Sequence, residues 1–367
     1  MSVFGMMHGM HGMHGMHGMH GMHGMHGMHG MHGMHGMGGY GDLPPGALAG
    51  LQSSTEALIH IAGIAALPPT GENLTPGVPA NMKRWSPDVR GLLLQTSFMR
   101  HIAWDSNDVV DHVAVHWDHN AIWTVLPPAK ATLAAQCDIV RTYADQRADR
   151  SNEILSQLGS FSAYFAILLG LSDGRNPKTF ELLNAVQTIA GQITMLPKHQ
   201  FACRRPAEFD ARVLPLIATP GHGSLPSAHA TQAFAMATVL EALARAADKH
   251  FADIDTRVTL LYRQAHRIAV NRTVAGVHFP MDSAAGARLG LQLGRIFCAA
   301  MGVPTTLRTT DAFDPNASPS ADFLYTDVEP LLSLGGGTGI AVLPDPLFQW
   351  LWHEALGEFA LHSPSPV

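Results

Sequence analysis

The chain has 367 residues, 46% of them hydrophobic and only 14% charged, with a formal net charge of −6. That length allows one large domain or two ordinary ones, and that balance excludes a polybasic binder of nucleic acid or of membrane surfaces. Three widely spaced cysteines, Cys137, Cys203 and Cys298, make neither a disulfide framework nor a CxxC pair. No charged n-region and apolar h-region of a secretory signal open the chain. The most apolar run, "FSAYFAILLGL" from Phe161, falls short of the roughly 18 residues needed to span a bilayer. The expectation is a soluble, reduced, cytoplasmic protein of bacterial type, acting on a small molecule, with no nucleic acid, no membrane span and no implied partner protein.

In chain order, residues 6–39 repeat Met-His-Gly in strict period three. Glycine at every third position opposes a helix, and no core can be built from the repeat, so residues 1–40 are expected to form a disordered tail. Its imidazoles and thioethers are soft ligands suited to copper, nickel or zinc. Two readings stand: a repeat-expanded tail with incidental metal affinity, or a metal-binding segment in use. Residues 41–85 read as a Gly/Pro/Ala-rich linker, with one possible helix in "LAGLQSSTEALIHIAGIAAL". From 86 to 301 apolar residues recur at helical spacing. "PDVRGLLLQTSFMRHIAW" opens the series, and "AKATLAAQCDIVRTYADQRADRSNEILSQLGSF" is one long amphipathic helix or a broken pair. "TFELLNAVQTIAGQITML", "AHATQAFAMATVLEALARAA", "DTRVTLLYRQAHRIAVNRTVAG" and "MDSAAGARLGLQLGRIFCAAM" follow. Residues 302–367 form a C-terminal extension with one helix, "DPLFQWLWHEALGEFAL". Strand alternation is scarce. The predicted fold class is all-α, a helical bundle with long loops.

Three stretches place unusual residues at helix ends: Lys198 with Arg205 and Pro206; Pro226-Ser227-Ala228-His229; and Arg272 with His278 and Asp282. Lys198, Arg205 and Arg272 border apolar segments where a lone buried cation is costly, and a shared anion would resolve that cost. Ser227 stands where a helix N-cap would, and the first turn behind it offers free N–H groups to an anion. His278 and Asp282, four apart, can share a face, so that the carboxylate holds one ring nitrogen and leaves the other for chemistry. Each element alone has a bland reading: a solvated helix end, a cap beside a satisfied histidine, a surface pair. In this order they describe a cradle for a tetrahedral oxyanion.

The combination K-x6-RP, PSAH and R-x5-H-x3-D resembles the signature of the type 2 phosphatidic acid phosphatase and vanadium haloperoxidase superfamily, over roughly residues 130–300. The resemblance implies an α-helical bundle in which Lys198, Arg205 and Arg272, with Ser227 and the Ala228 N–H, hold the oxyanion. It implies His229 as acid/base and Asp282 as the residue that orients His278. His278 would be the phosphoryl acceptor of a phosphatase or the vanadate ligand of a haloperoxidase. Two positions depart from the family pattern: Ala228 stands where glycine is usual and Asn271 where serine is usual. Neither removes a charged or nucleophilic group. The long helical region before the motifs favours a peroxide-driven haloperoxidase with vanadate as cofactor, as does His222, which resembles a bromoperoxidase histidine near the halide site. The alternatives are a soluble acid phosphatase that hydrolyses phosphomonoesters through a phosphohistidine and needs no cofactor, and, from another class, a metal-binding protein working through its Met-His-Gly tail.

Other motifs carry less. "DHVAVHWDH" has spacings that would put His112, His116 and His119 on one helical face with Asp111 and Asp118 nearby, either a metal site or, the other reading, a polar helix face or loop. "GGGTG" at 335–339 lacks the Lys-Ser/Thr of a P-loop and reads as a turn. "GHGSL" is not a GxSxG elbow, and "WHEAL" lacks the second histidine of HExxH.

Overall fold

The computed structural model describes residues 73–105, 111–247, 250–333 and 338–360. The Met-His-Gly repeat, the helix expected in the linker and most of the GGGTG loop lie outside these residues. The described chain is mostly helical, in agreement with the all-α expectation. After a 3-10 turn (Pro79–Arg84) come α1 (Pro87–Met99), α2 (Lys130–Thr142), α3 (Arg147–Ser156), α4 (Ser162–Leu169) and α5 (Pro177–Ile193). They are followed by α6 (Met195–Phe201), α7 (Pro206–Phe209), α8 (Ala228–Ala246), α9 (Ile254–Val274), α10 (Pro280–Ala300), α11 (Glu329–Leu332) and α12 (Pro346–Ala360). The long amphipathic run is a broken pair: a 3-10 turn at Tyr143–Gln146 separates α2 from α3.

Among the described residues two small sheets depart from the helical pattern, one of them a two-stranded pairing of Leu307–Arg308 with Gly339–Ile340. The first expected helix stops at Met99, and β1 (Ile102–Trp104), β2 (Val113–Trp117) and β3 (Asn120–Val125) form a small antiparallel sheet in the order β1-β2-β3. Val113, Ala114 and Val115 are all buried, so β2 shows no alternation that would betray a strand. The sheet is fastened to the bundle by the Trp123 indole N–H, which donates to the Ala285 carbonyl at 2.9 Å.

The core of the bundle is the long contact of α8 with α10, flanked by α9 and α5. Gly286, Gly290 and Gly294 make a stripe along α10 at four-residue spacing. A Cβ at Gly286 would lie 2.5 Å from the Ser227 carbonyl oxygen, and one at Gly294 would lie 2.5 Å from Thr238 Cβ. The absence of side chains lets α10 press against the start of α8, where the Ser-x-His motif sits. The C-terminal residues pack over the same bundle. Asn316 Oδ1 accepts from the Ala129 N–H and Thr132 Oγ1 at the start of α2. On α12, the Glu358 carboxylate accepts from the Lys178 and Thr179 N–H groups at the start of α5, the helix end that favours an anion. No described helix is long and apolar enough to cross a membrane.

Candidate oxyanion site

The three sequence stretches converge on one buried place. Lys198, Arg205 and Arg272 are each 1% exposed, Ser227 and Asp282 are fully buried and His278 is 4% exposed. Lys198 comes from α6 and Arg205 from the loop just before α7. Ser227 caps α8, its hydroxyl accepting from the Ala230 N–H at 3.3 Å. Asp282 reaches back from the first turn of α10, accepting the Phe279 N–H at 3.0 Å and facing His278 Nδ1 at 2.9 Å. The Ser227 N–H donates to the Asp282 carbonyl at 2.9 Å, which locks the start of α8 to the start of α10.

Hydrogen bonding sets the protonation pattern. Arg205 Nη1 lies 2.9 Å from His278 Nε2. A guanidinium can only donate, so Nε2 accepts, and the ring proton sits on Nδ1, donated to Asp282. His229 Nε2 lies 2.8 Å from the Gln157 carbonyl, which can only accept; Nε2 therefore carries the proton and Nδ1 the lone pair. His222 stands at the rim, with Nδ1 3.1 Å from Arg205 Nη2 and 3.1 Å from the Gly223 carbonyl.

Burial works against every charge here. It lowers Lys198 well below its ordinary range, helped by Arg205, and brings Arg205 and Arg272 each down to about 10. It holds His229 at about 3, with Arg272 adding to the effect, and depresses His278 strongly, with Arg205 and Lys198 adding. Partial burial and then the charges of Lys198 and Arg205 lower His222 to about 4. Burial lifts Asp282 to about 6 against the pull of Lys198. A cluster of cations and neutral imidazoles in low dielectric calls for an anion.

The donors fit a tetrahedral oxyanion. Arg272 Nη2 is tied to the Ile154 carbonyl at 3.2 Å and to Gln157 Oε1 at 2.9 Å, whereas its Nε and Nη1 are buried with no hydrogen-bond partner among the described residues. Lys198 Nζ donates to the Gly223 and Ser224 carbonyls at 3.0 and 2.9 Å, and has a third N–H to give. Beside this cradle opens a cavity of about 480 Å³, lined by Met195, His199, Cys203 and Arg204 and sharing Lys198 and His222 with the site.

Four residues that contribute were not among the sequence candidates: Gln157, Gly223 and Ser224 through their carbonyls, and Val277, whose carbonyl accepts from Arg205 Nη1 at 2.8 Å. Asn271, in place of the usual serine, is fully buried and tied to Glu153, Gln157 and Arg150. The histidine-rich run does not form the expected helical face. His112 and His116 meet Asp105 at 3.0 Å each across the β1–β2 pair, while His119 lies exposed in the β2–β3 turn. Among the described residues no group of three His, Cys, Asp or Glu side chains could hold a metal ion. All three cysteines are buried and unpaired.

Comparison with known families reaches the segment that carries these residues. The family model of the PAP2 superfamily matches residues 181–303, which include Lys198, Arg205, Ser227, His229, Arg272, His278 and Asp282. No curated protein matches the chain. The match supports an oxyanion-site enzyme of phosphatase or haloperoxidase type.

Proposed function

We propose, from a chain matched by the PAP2 superfamily over residues 181–303, that the protein is a haloperoxidase that holds vanadate and uses peroxide to oxidise halide. The observation that carries the oxyanion at the centre of this reading is the pair of buried, unpartnered nitrogens on Arg272 beside two further buried cations and a neutral His278. Vanadate, when bound, supplies the Lewis-acidic centre that activates peroxide toward halide.

The chain's own residues do the rest. His278 would offer the Nε2 lone pair as the ligand atom once Arg205 Nη1, 2.9 Å away, turns to the oxyanion, and Asp282 keeps the ring proton on Nδ1 and fixes the ring plane. Arg272 Nε and Nη1, Arg205 and Lys198 would neutralise the oxyanion in a buried site, where preorganised charge is most effective. His229, neutral because burial and Arg272 hold it at about 3, has Nδ1 free to accept a proton, as deprotonation of peroxide requires. His222, at the mouth of the cavity, presents a neutral polar group to what approaches.

A second reading shares every residue. A phosphomonoester in the cradle would meet the same Nε2 lone pair as nucleophile. The phosphorus–oxygen bond of the ester breaks, His229 protonates the departing oxygen, and water releases phosphate from the phosphohistidine. The neutral, oriented His278 suits this route equally, but His229 would first have to gain a proton.

Paired assays on the full chain decide. Bromination of a phenol by peroxide and bromide, dependent on added vanadate and lost in His278→Ala, is the expected result. Phosphate release from an aryl phosphate, inhibited by vanadate and also lost in His278→Ala, would replace the haloperoxidase reading by the phosphatase. Silence in both assays would sink the enzyme reading.

A further inference from the structure

We infer that Gln157 is a positioning residue of the oxyanion site, its side-chain carbonyl holding Arg272 and its main-chain carbonyl holding His229. The inference rests on the oxyanion reading of the cradle. Gln157 follows α3 directly and is fully buried, and it lies ahead of the segment that carries all the recognised motifs.

Its amide orientation is determined by its neighbours. Oε1 accepts from Arg272 Nη2 at 2.9 Å and from Asn271 Nδ2 at 3.0 Å, while Nε2 faces Glu153 Oε1 at 3.3 Å. A flipped amide would set its NH₂ against two donors. Two acceptors, Oε1 and the Ile154 carbonyl, tie down Nη2 of the guanidinium. Nε and Nη1 are left to an anion.

Both acceptors are neutral. The nearby carboxylate, Glu153, bonds Arg267 at 2.7 Å and Asn271 at 2.9 Å. Arg272 is therefore oriented without a carboxylate of its own, and its charge stays available. A carboxylate at position 157 would orient the guanidinium equally well and cancel that charge. At the same residue, the main-chain carbonyl fixes the His229 tautomer. One buried residue thus aligns an anion-holding cation with the acid/base histidine.

Calorimetric titration of the full chain with inorganic phosphate and with orthovanadate tests this, across pH, on wild type, Gln157→Glu and Gln157→Met. Wild type is expected to bind. Gln157→Glu, matched in shape, is expected to bind about tenfold or more weakly. Its affinity should also begin to climb at a higher pH on acidification, because the added carboxylate favours protonated His229. Gln157→Met, which removes the acceptor without adding charge, is expected to weaken binding with the pH dependence unmoved. A merely structural glutamine would not separate the two variants in this way. Wild-type binding with Gln157→Glu indistinguishable from it in affinity and pH dependence overturns the inference alone. If the buried charge prevents folding, Gln157→Met decides: unchanged affinity overturns it. A wild type that takes up neither anion overturns the oxyanion reading and this inference with it.

Discussion

At the scale of single residues, the site keeps its imidazoles neutral when no anion is present. His229 sits at about 3 because it is buried beside Arg272, and Asp282 is lifted to about 6 by burial. An arriving anion offsets the charge of Arg272 and further disfavours an ionised Asp282, so both groups hold protons more tightly in the complex. A complex that holds more protons than its free partners gains affinity as pH falls. Sulfate, which keeps its own charge through this range, is the clean probe: its affinity should rise as pH is lowered through about 6 and onward. Calorimetry in buffers of different ionisation enthalpy should show proton uptake, and an affinity flat with pH would mean that neither group feels the anion. The candidate residues of this site were legible in the sequence only as an ordered set of three stretches at helix boundaries, since each stretch alone has a bland reading. Gln157 was not, because a glutamine past a helix end looks like any solvated cap until its two donors are seen. Asn271 was legible only as a departure, and its buried bonds to Glu153 and Gln157 required the fold.

At the scale of elements, α10 is held to α8 by the absence of side chains. A Cβ on Gly290 would press into the Thr231 carbonyl and lie 2.9 Å from Phe234 Cβ, backbone and core that cannot swing away. Gly290→Val should therefore destabilise the chain by about 1–3 kcal/mol, as overpacking of a tight core does. It should also weaken anion binding, since α8 carries His229 at its start. Gly91, in α1, has nothing within 4 Å of a Cβ, and Gly91→Ala should stabilise by about 0.5–1 kcal/mol. Urea melts of the two variants should move in opposite directions, and a neutral Gly290→Val would mean that the α8–α10 contact is looser than the geometry requires. The longer helices were readable because their apolar residues recur at helical spacing, whereas the short α4, α6, α7 and α11 carry too few turns to show a period. The sheet was not: β2 is buried on both sides, so its period of two is invisible, and the spacing of His112, His116 and His119 suggested a helical face, whereas the strands bring only His112 and His116 to Asp105.

At the scale of the whole molecule, parts far apart in sequence finish the site. Residues before the matched segment bring Gln157 and Glu153 to Arg272 and Asn271, and residues after it cap α2 through Asn316 and α5 through Glu358. The Met-His-Gly repeat lies outside the described residues, and its proposed metal binding can be tested apart from the chemistry of the cradle. Thioether and imidazole donors at a period of three suit soft and borderline ions. Deleting residues 6–39 should abolish uptake of copper, nickel or zinc, measured by equilibrium dialysis, because the described residues offer no cluster of three side chains to hold a metal ion. The same deletion should leave phosphate affinity and the urea midpoint unchanged, since every group proposed to hold the anion lies between Lys198 and His278. Metal uptake that survives the deletion would place the ligands elsewhere in the chain. A fall in phosphate affinity on deletion would show instead that the repeat reaches the cradle, and the two ends of the protein would then have to be treated as one site.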